Sequence, residues 1–98
     1  MKLIVESASK IFDVNAIKKG DLVYAKHRTW TEGVRGFATS ISEKKITVQY
    51  FPGIGNVSNH FFITADETAA GEWELRWSSD LKTINQYVME GENEDDNG

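Results

Sequence analysis

Ser58, His60 and Asp66 are the residues of this chain whose types and order come nearest to nucleophilic catalysis. Two positions apart on a strand, Ser58 and His60 would project to one face and set a hydroxyl beside an imidazole, with Asp66 as orienter. A triad also needs an oxyanion hole and a pocket, and no residue pattern supplies either. Asp66-Glu67 reads more simply as the acidic first turn of a helix, where carboxylates complement the helix dipole. His27 and His60 are the only histidines and cysteine is absent, so there is no H-x-H, H-E-x-x-H or thiolate ligand set for zinc. Gly53-Ile54-Gly55 precedes a strand, not a helix, and lacks the flanks of a phosphate loop. The expectation is therefore no enzyme, no catalytic residue, no metal and no cofactor.

Aromatic residues offer a second kind of chemistry. The pairs Tyr50-Phe51 and Phe61-Phe62 flank the only proline, Pro52, and the knuckle Gly53-Ile54-Gly55-Asn56. Adjacent residues of a strand point to opposite faces, so each pair must leave one ring outside the core. A terminal element that covers those outer rings makes them structural. If none does, the exposed rings imply a partner or self-association.

The elements that must position these residues are mostly strands. "KLIVE" reads as a short N-terminal strand, and "DVNAIKKGD" as a single turn capped by Asp13 and ended by Gly20-Asp21. "LVYAKHR", "VRGFATSI", "ITVQYF", "VSNHFFIT" and "WELRW" are rich in β-branched and aromatic residues, and the alternation is cleanest in the third and fifth. Gly36 within the second suggests a bulge or tight bend. "PGIGN" should reverse the chain. "TADETAAG" carries the marks of one helical turn, with Thr64 or Asp66 as cap and Gly71 as stop. "SSDLKTINQYVM" predicts a short C-terminal helix capped by Ser78 or Ser79, with Leu81, Ile84, Tyr87 and Val88 on one face.

Gly20-Asp21-Leu22-Val23-Tyr24-Ala25, Gly36-Phe37-Ala38, Ile46-Thr47-Val48-Gln49-Tyr50 and Gly55-Asn56 follow one another in a familiar order. Over roughly residues 18–77 the chain resembles the SH3-like small barrels, and within them the Tudor and chromo-type modules. An uncharacterised bacterial member of that class is the implied affiliation. The resemblance implies an all-β fold: an SH3-like five-stranded barrel with an extra N-terminal strand and a short C-terminal helix. Tudor-type modules hold methylated cations in a cage of rings. Trp30, Tyr50 and Asn56 match that arrangement, but Val34 and Arg35 are not aromatic and Ile54 replaces the corner ring. SH3 domains instead accept extended peptides on an aromatic strip, to which Tyr24, Trp30, Phe51 and Trp73 could contribute.

Composition narrows the remaining choices. The 98 residues make one domain, assigned to 1–89, and residues 90–98, with five acids and no base, read as a disordered acidic tail. Those five negative charges exceed the net formal charge of −4, leaving 11 bases against 10 acids in the body. No apolar stretch approaches the roughly 20 residues that cross a bilayer. The N-terminus is too weak for a secretory signal, and the lack of cysteine suits a reducing compartment, so a cytoplasmic location is expected. Lys18, Lys19, Lys26, Arg28, Arg35, Lys44 and Lys45 give residues 18–45 a mild basic bias, which supports single-stranded nucleic acid as the alternative ligand. The leading expectation is a non-catalytic interaction domain. It would bind a peptide or protein through a loop face made of Tyr24, Trp30, Phe51, Ile54 and Asn56.

Overall fold

A computed structural model describes residues 3–5, 10–53 and 57–88. Two short strands, β1 (Ile4–Val5) and β2 (Ile11–Phe12), pair antiparallel. The main sheet holds β3 (Leu22–His27), β4 (Val34–Ile41), β5 (Lys45–Tyr50), β6 (Asn59–Thr64), β7 (Trp73–Ser78) and β8 (Asn85–Gln86). Its order is β6-β5-β4-β3-β7-β8, every neighbour antiparallel. The protein is all-β, with one short helix among the described residues, α1 (Ala65–Ala69), between β6 and β7.

Alternation, interrupted once in β4 between Ala38 and Ser40, gives this sheet two unlike faces. Val23 and Ala25, Gly36 and Ala38, Ile46 and Val48, Ile63, and Trp73, Leu75 and Trp77 point to an inner face and are buried. The β1–β2 hairpin, the turn after it and α1 cover that face, contributing Leu3, Ile4, Phe12, Ala16, Ile17 and Ala65 to one core. The cover is tied down by polar bonds as well as apolar area. The indole N–H of Trp77 donates to the Ala16 carbonyl at 2.8 Å, and Phe12 N–H donates to the Glu43 carbonyl at 2.8 Å. Asp21, only 4 % exposed, accepts from Lys18 N–H at 2.9 Å and from the Ser79 hydroxyl at 2.8 Å.

Two expectations are corrected. The five-stranded barrel is replaced by an open sheet of six strands, whose outermost members β6 and β8 do not pair with each other. An N-terminal hairpin rather than a closing strand seals the inner face, so burial is achieved without closure. Nor do the described residues of the expected C-terminal helix, 78–88, form one. Asp80 Oδ1 accepts from the main-chain N–H of both Lys82 and Thr83, and Ser78 Oγ accepts from Leu81 N–H, all at 2.8 Å. Leu81 sits at φ 63°, a left-handed conformation that cannot continue a right-handed helix. The chain leaves this turn as β8, pairing Asn85 with Trp77 and Gln86 with Arg76.

The ends of α1 fall where the sequence places them, and the bulge expected at Gly36 lies further along β4. Thr64 caps α1 by accepting from Glu67 N–H at 3.2 Å, and Gly71 follows at φ 83°. The irregularity in β4 falls between Ala38 and Ser40, while Gly36 serves a close approach: a Cβ there would lie 2.3 Å from the Gln49 carbonyl oxygen.

Candidate functional site

The outer face of the sheet carries two cross-strand rows of interest. In one, Arg76, Tyr24 and Arg35 are direct neighbours on β7, β3 and β4. In the next, Ser78, Leu22, Phe37, Gln49 and His60 run across five strands. The Tyr24 ring lies across Gly33, where a Cβ would come within 2.3 Å of it, so only glycine admits this placement. The guanidinium carbons of Arg76 and Arg35 stand 5.2 Å and 5.7 Å from the ring centroid, close enough for cation–π attraction. Arg76 also pairs with Glu74 at 2.9 Å.

Exposed apolar groups continue this surface. Phe37 is 50 % and Phe62 47 % exposed, the latter beneath the Lys45 ammonium at 4.4 Å and against the His60 ring at 5.4 Å. An open groove is lined by residues that include Leu22, Tyr24, Arg35, Arg76 and Ile84. Alternation places Lys26, Arg35, Lys45 and Arg76 on this face, against Glu74 as the one acid among its described strand residues. The face is therefore cationic and aromatic on a chain that is acidic overall.

The inner face ends in a packed aromatic cluster. Trp30 stands edge-on to Phe61 and to Trp73, with centroids 5.2 Å apart in both cases, and Phe61 stacks on Trp73 at 5.8 Å. Tyr50 joins through Phe61 at 5.7 Å, and His27 through Trp73 at 4.8 Å. Rings at these separations touch one another and leave no room between them for a methylated ammonium.

Beside the cluster lie His27, Glu67 and Glu72, whose ligand-type atoms all fall within 4.8 Å of one another. These three could hold a divalent cation, but each is already engaged. His27 Nε2 meets Glu72 Oε1 at 3.3 Å, and the Trp73 indole N–H donates to Glu67 Oε1 at 3.0 Å. The bond from Trp73 holds the Glu67 carboxyl below the usual carboxylate range, outweighing the opposing effect of burial, and Thr64 and His27 add to it. The arrangement locks α1 and the start of β7 to the end of β3.

The residues expected to form one loop face are distributed otherwise. Tyr24 belongs to the outer face and Trp30 to the inner cluster, and Phe51, 68 % exposed, lies just past β5. Ile54 and Asn56 lie outside the described residues. Of the two residues with catalytic chemistry, Ser58 Oγ accepts from Gln49 Nε2 at 3.2 Å, and His60 packs on Phe62. Sequence reasoning missed Phe61 as the ring joining Trp30 to Tyr50, and missed Arg76, Phe37 and Phe62 as one surface with Tyr24. Alternation within each strand carried that signal, since Tyr24, Phe37, Phe62 and Arg76 all occupy positions opposite to buried neighbours.

One protein-family model, described as a domain of unknown function (DUF5026), matches residues 3–84. No curated protein and no solved structure matches the chain.

Proposed function

The chain belongs to that family of unknown function, and from its own surface we propose a non-catalytic interaction domain that binds an acidic peptide segment of a protein partner on the outer face of its sheet. The carrying observation is the row Arg76–Tyr24–Arg35, beside exposed Phe37 and an open groove. Guanidinium groups fixed against a ring are pre-organised for carboxylates, and exposed phenyl rings supply apolar contact beside them. The antiparallel meander β3–β6, one helical turn and the return of β7 to β3 support kinship with the SH3-like barrels.

Single-stranded nucleic acid is the second reading, favoured by the same interleaving of cations with Phe37 and Phe62. It ranks second because Tyr24 is boxed by two arginines and by Gly33, which keeps its ring from stacking a base. The acids of residues 90–98 also repel phosphate.

Fluorescence anisotropy against a labelled peptide of alternating glutamate and phenylalanine, and against a labelled oligonucleotide, tests both at low salt. The peptide should bind, and Arg35→Glu with Arg76→Glu should weaken it by about tenfold or more. Retention of the oligonucleotide alone would transfer the assignment to nucleic acid. No binding of either would end both readings.

A further inference from the structure

The free edge of β6 carries a proposal that does not depend on the partner reading. Ala65 N–H donates to the Lys44 carbonyl at 2.9 Å, continuing the β5–β6 register in which Thr64 faces Lys45 and Ile63 faces Ile46. Antiparallel ladders alternate hydrogen-bonded with non-bonded pairs, so Asn59, Phe61 and Ile63 spend their main-chain groups on β5. His60, Phe62 and Thr64 therefore turn theirs outward. Two of these outward groups are already engaged: His60 N–H donates to Asn59 Oδ1 at 2.8 Å, and the Thr64 carbonyl accepts from the Thr68 hydroxyl at 2.8 Å. The Phe62 N–H and C=O, the His60 C=O and the Thr64 N–H face outward, and no described strand pairs with this edge.

These free groups are arranged symmetrically about Phe62. We propose that β6 pairs antiparallel with β6 of a second copy of this chain about a two-fold axis at Phe62, joining two six-stranded sheets. In that register each Phe62 exchanges both main-chain bonds with its counterpart, and each Thr64 N–H meets the His60 carbonyl of the other copy. A two-fold contact demands such self-complementarity. The two Phe62 rings, 47 % exposed in the single chain, then lie side by side on the outer face and shield each other. Charge allows the approach: β6 reads Asn-His-Phe-Phe-Ile-Thr, so two copies of a chain with formal charge −4 oppose no carboxylates here, and the Lys45 ammonium of each copy stands over its own Phe62 ring at 4.4 Å. Natural edge strands are guarded by lysine, proline or a bulge, and β6 contains none of these. The opposite edge, β8, is only two residues long.

Sedimentation equilibrium across about 1 μM to 1 mM tests the proposal. The mass should rise from 11.0 kDa toward twice that value. Phe62→Pro removes an N–H that faces away from β5, and Phe62→Lys sets two ammonium groups opposite each other across the axis. Both should hold the mass at 11.0 kDa with the sheet intact by circular dichroism. Phe37→Ala, and Arg35→Glu with Arg76→Glu, should leave association unchanged. A wild-type mass of 11.0 kDa throughout overturns the proposal, as does association of Phe62→Lys equal to that of wild type.

Discussion

Tyr24 and Trp30, six residues apart, lie on opposite faces of one sheet. Tyr24 projects outward from β3 between Arg35 and Arg76. The turn that follows β3, closed by Trp30 N–H on the His27 carbonyl at 2.9 Å, carries the indole round to Phe61 and Trp73 on the inner side. A ligand that uses one of these rings does not touch the other. The two substitutions should therefore separate binding from stability.

Trp30→Ala should act on stability. The ring packs against the core beside Phe61 and Trp73, and truncation of so large a side chain leaves a cavity that its neighbours fill only in part. Because the indole is half-buried, the cost should be about 2–3 kcal/mol, below the full range for buried tryptophan. In a domain of this size that lowers Tm by roughly 10–20 °C. Tyr24→Ala should shift Tm much less while reducing peptide affinity. Equal melting temperatures for Trp30→Ala and wild type would return Trp30 to the list of binding residues.

Asp21 joins three parts of the chain that are remote in sequence. Its carboxylate takes Lys18 N–H at the end of the first turn and the Ser79 hydroxyl beyond β7, while its carbonyl accepts from Ala38 N–H at 2.9 Å. Asp21→Ala leaves the partly buried Lys18 N–H and the Ser79 hydroxyl without their acceptor and should cost about 1–2 kcal/mol. Asp21→Asn, with one acceptor oxygen retained, should recover part of that. Urea unfolding of the two variants gives the order, and an alanine variant as stable as the asparagine one would remove Asp21 from this role.

The strands were legible because alternation in residues such as Trp73-Glu74-Leu75-Arg76-Trp77 is local, and the chain needs no partner to display it. Helix α1 was legible for a similar reason: Thr64 and Gly71 mark its ends within a few residues. The segment after β7 misled because Ser78 and Asp80 accept main-chain N–H groups equally well in a helix cap and in a tight turn. What decides between them is pairing of β8 with β7, a contact that no local pattern reports. The candidate surface was illegible in a different way. Which face of the sheet stays open depends on where the β1–β2 hairpin docks, and that is fixed by Phe12, Ile17 and the Trp77–Ala16 bond across the whole chain.

Gly36 tests the packing of β4 on β5. Its Cβ would stand 2.3 Å from the Gln49 carbonyl oxygen and 2.8 Å from Val48 Cγ1, and the first of these is backbone within a paired strand. Gly36→Ala must push the two strands apart, at a cost of about 2–3 kcal/mol. Gly20→Ala, with open space around its Cβ but φ at 96°, should be strained through its backbone alone. Thermal unfolding of the pair separates crowding from conformational strain. A Gly36→Ala variant as stable as wild type would show that β4 and β5 are not held this closely.

Glu67 should give the stability curve part of its acid limb. The Trp73 indole N–H holds its carboxyl below the usual range in the folded chain, and no such bond exists in the unfolded chain. A depressed folded value means that the unfolded chain binds the proton first. The stabilisation is therefore complete above the ordinary carboxylate range and fades as pH falls through the folded value. Glu67→Gln keeps the acceptor oxygen for Trp73 but removes the titration, and should cost about 0.5–1 kcal/mol at neutral pH. The gap between variant and wild type should then close as pH falls from the ordinary carboxylate range through the folded value. Urea midpoints measured across that window at constant slope provide the check. A gap that stays constant to the acid end would mean that the Trp73 bond does not distinguish carboxylate from carboxylic acid.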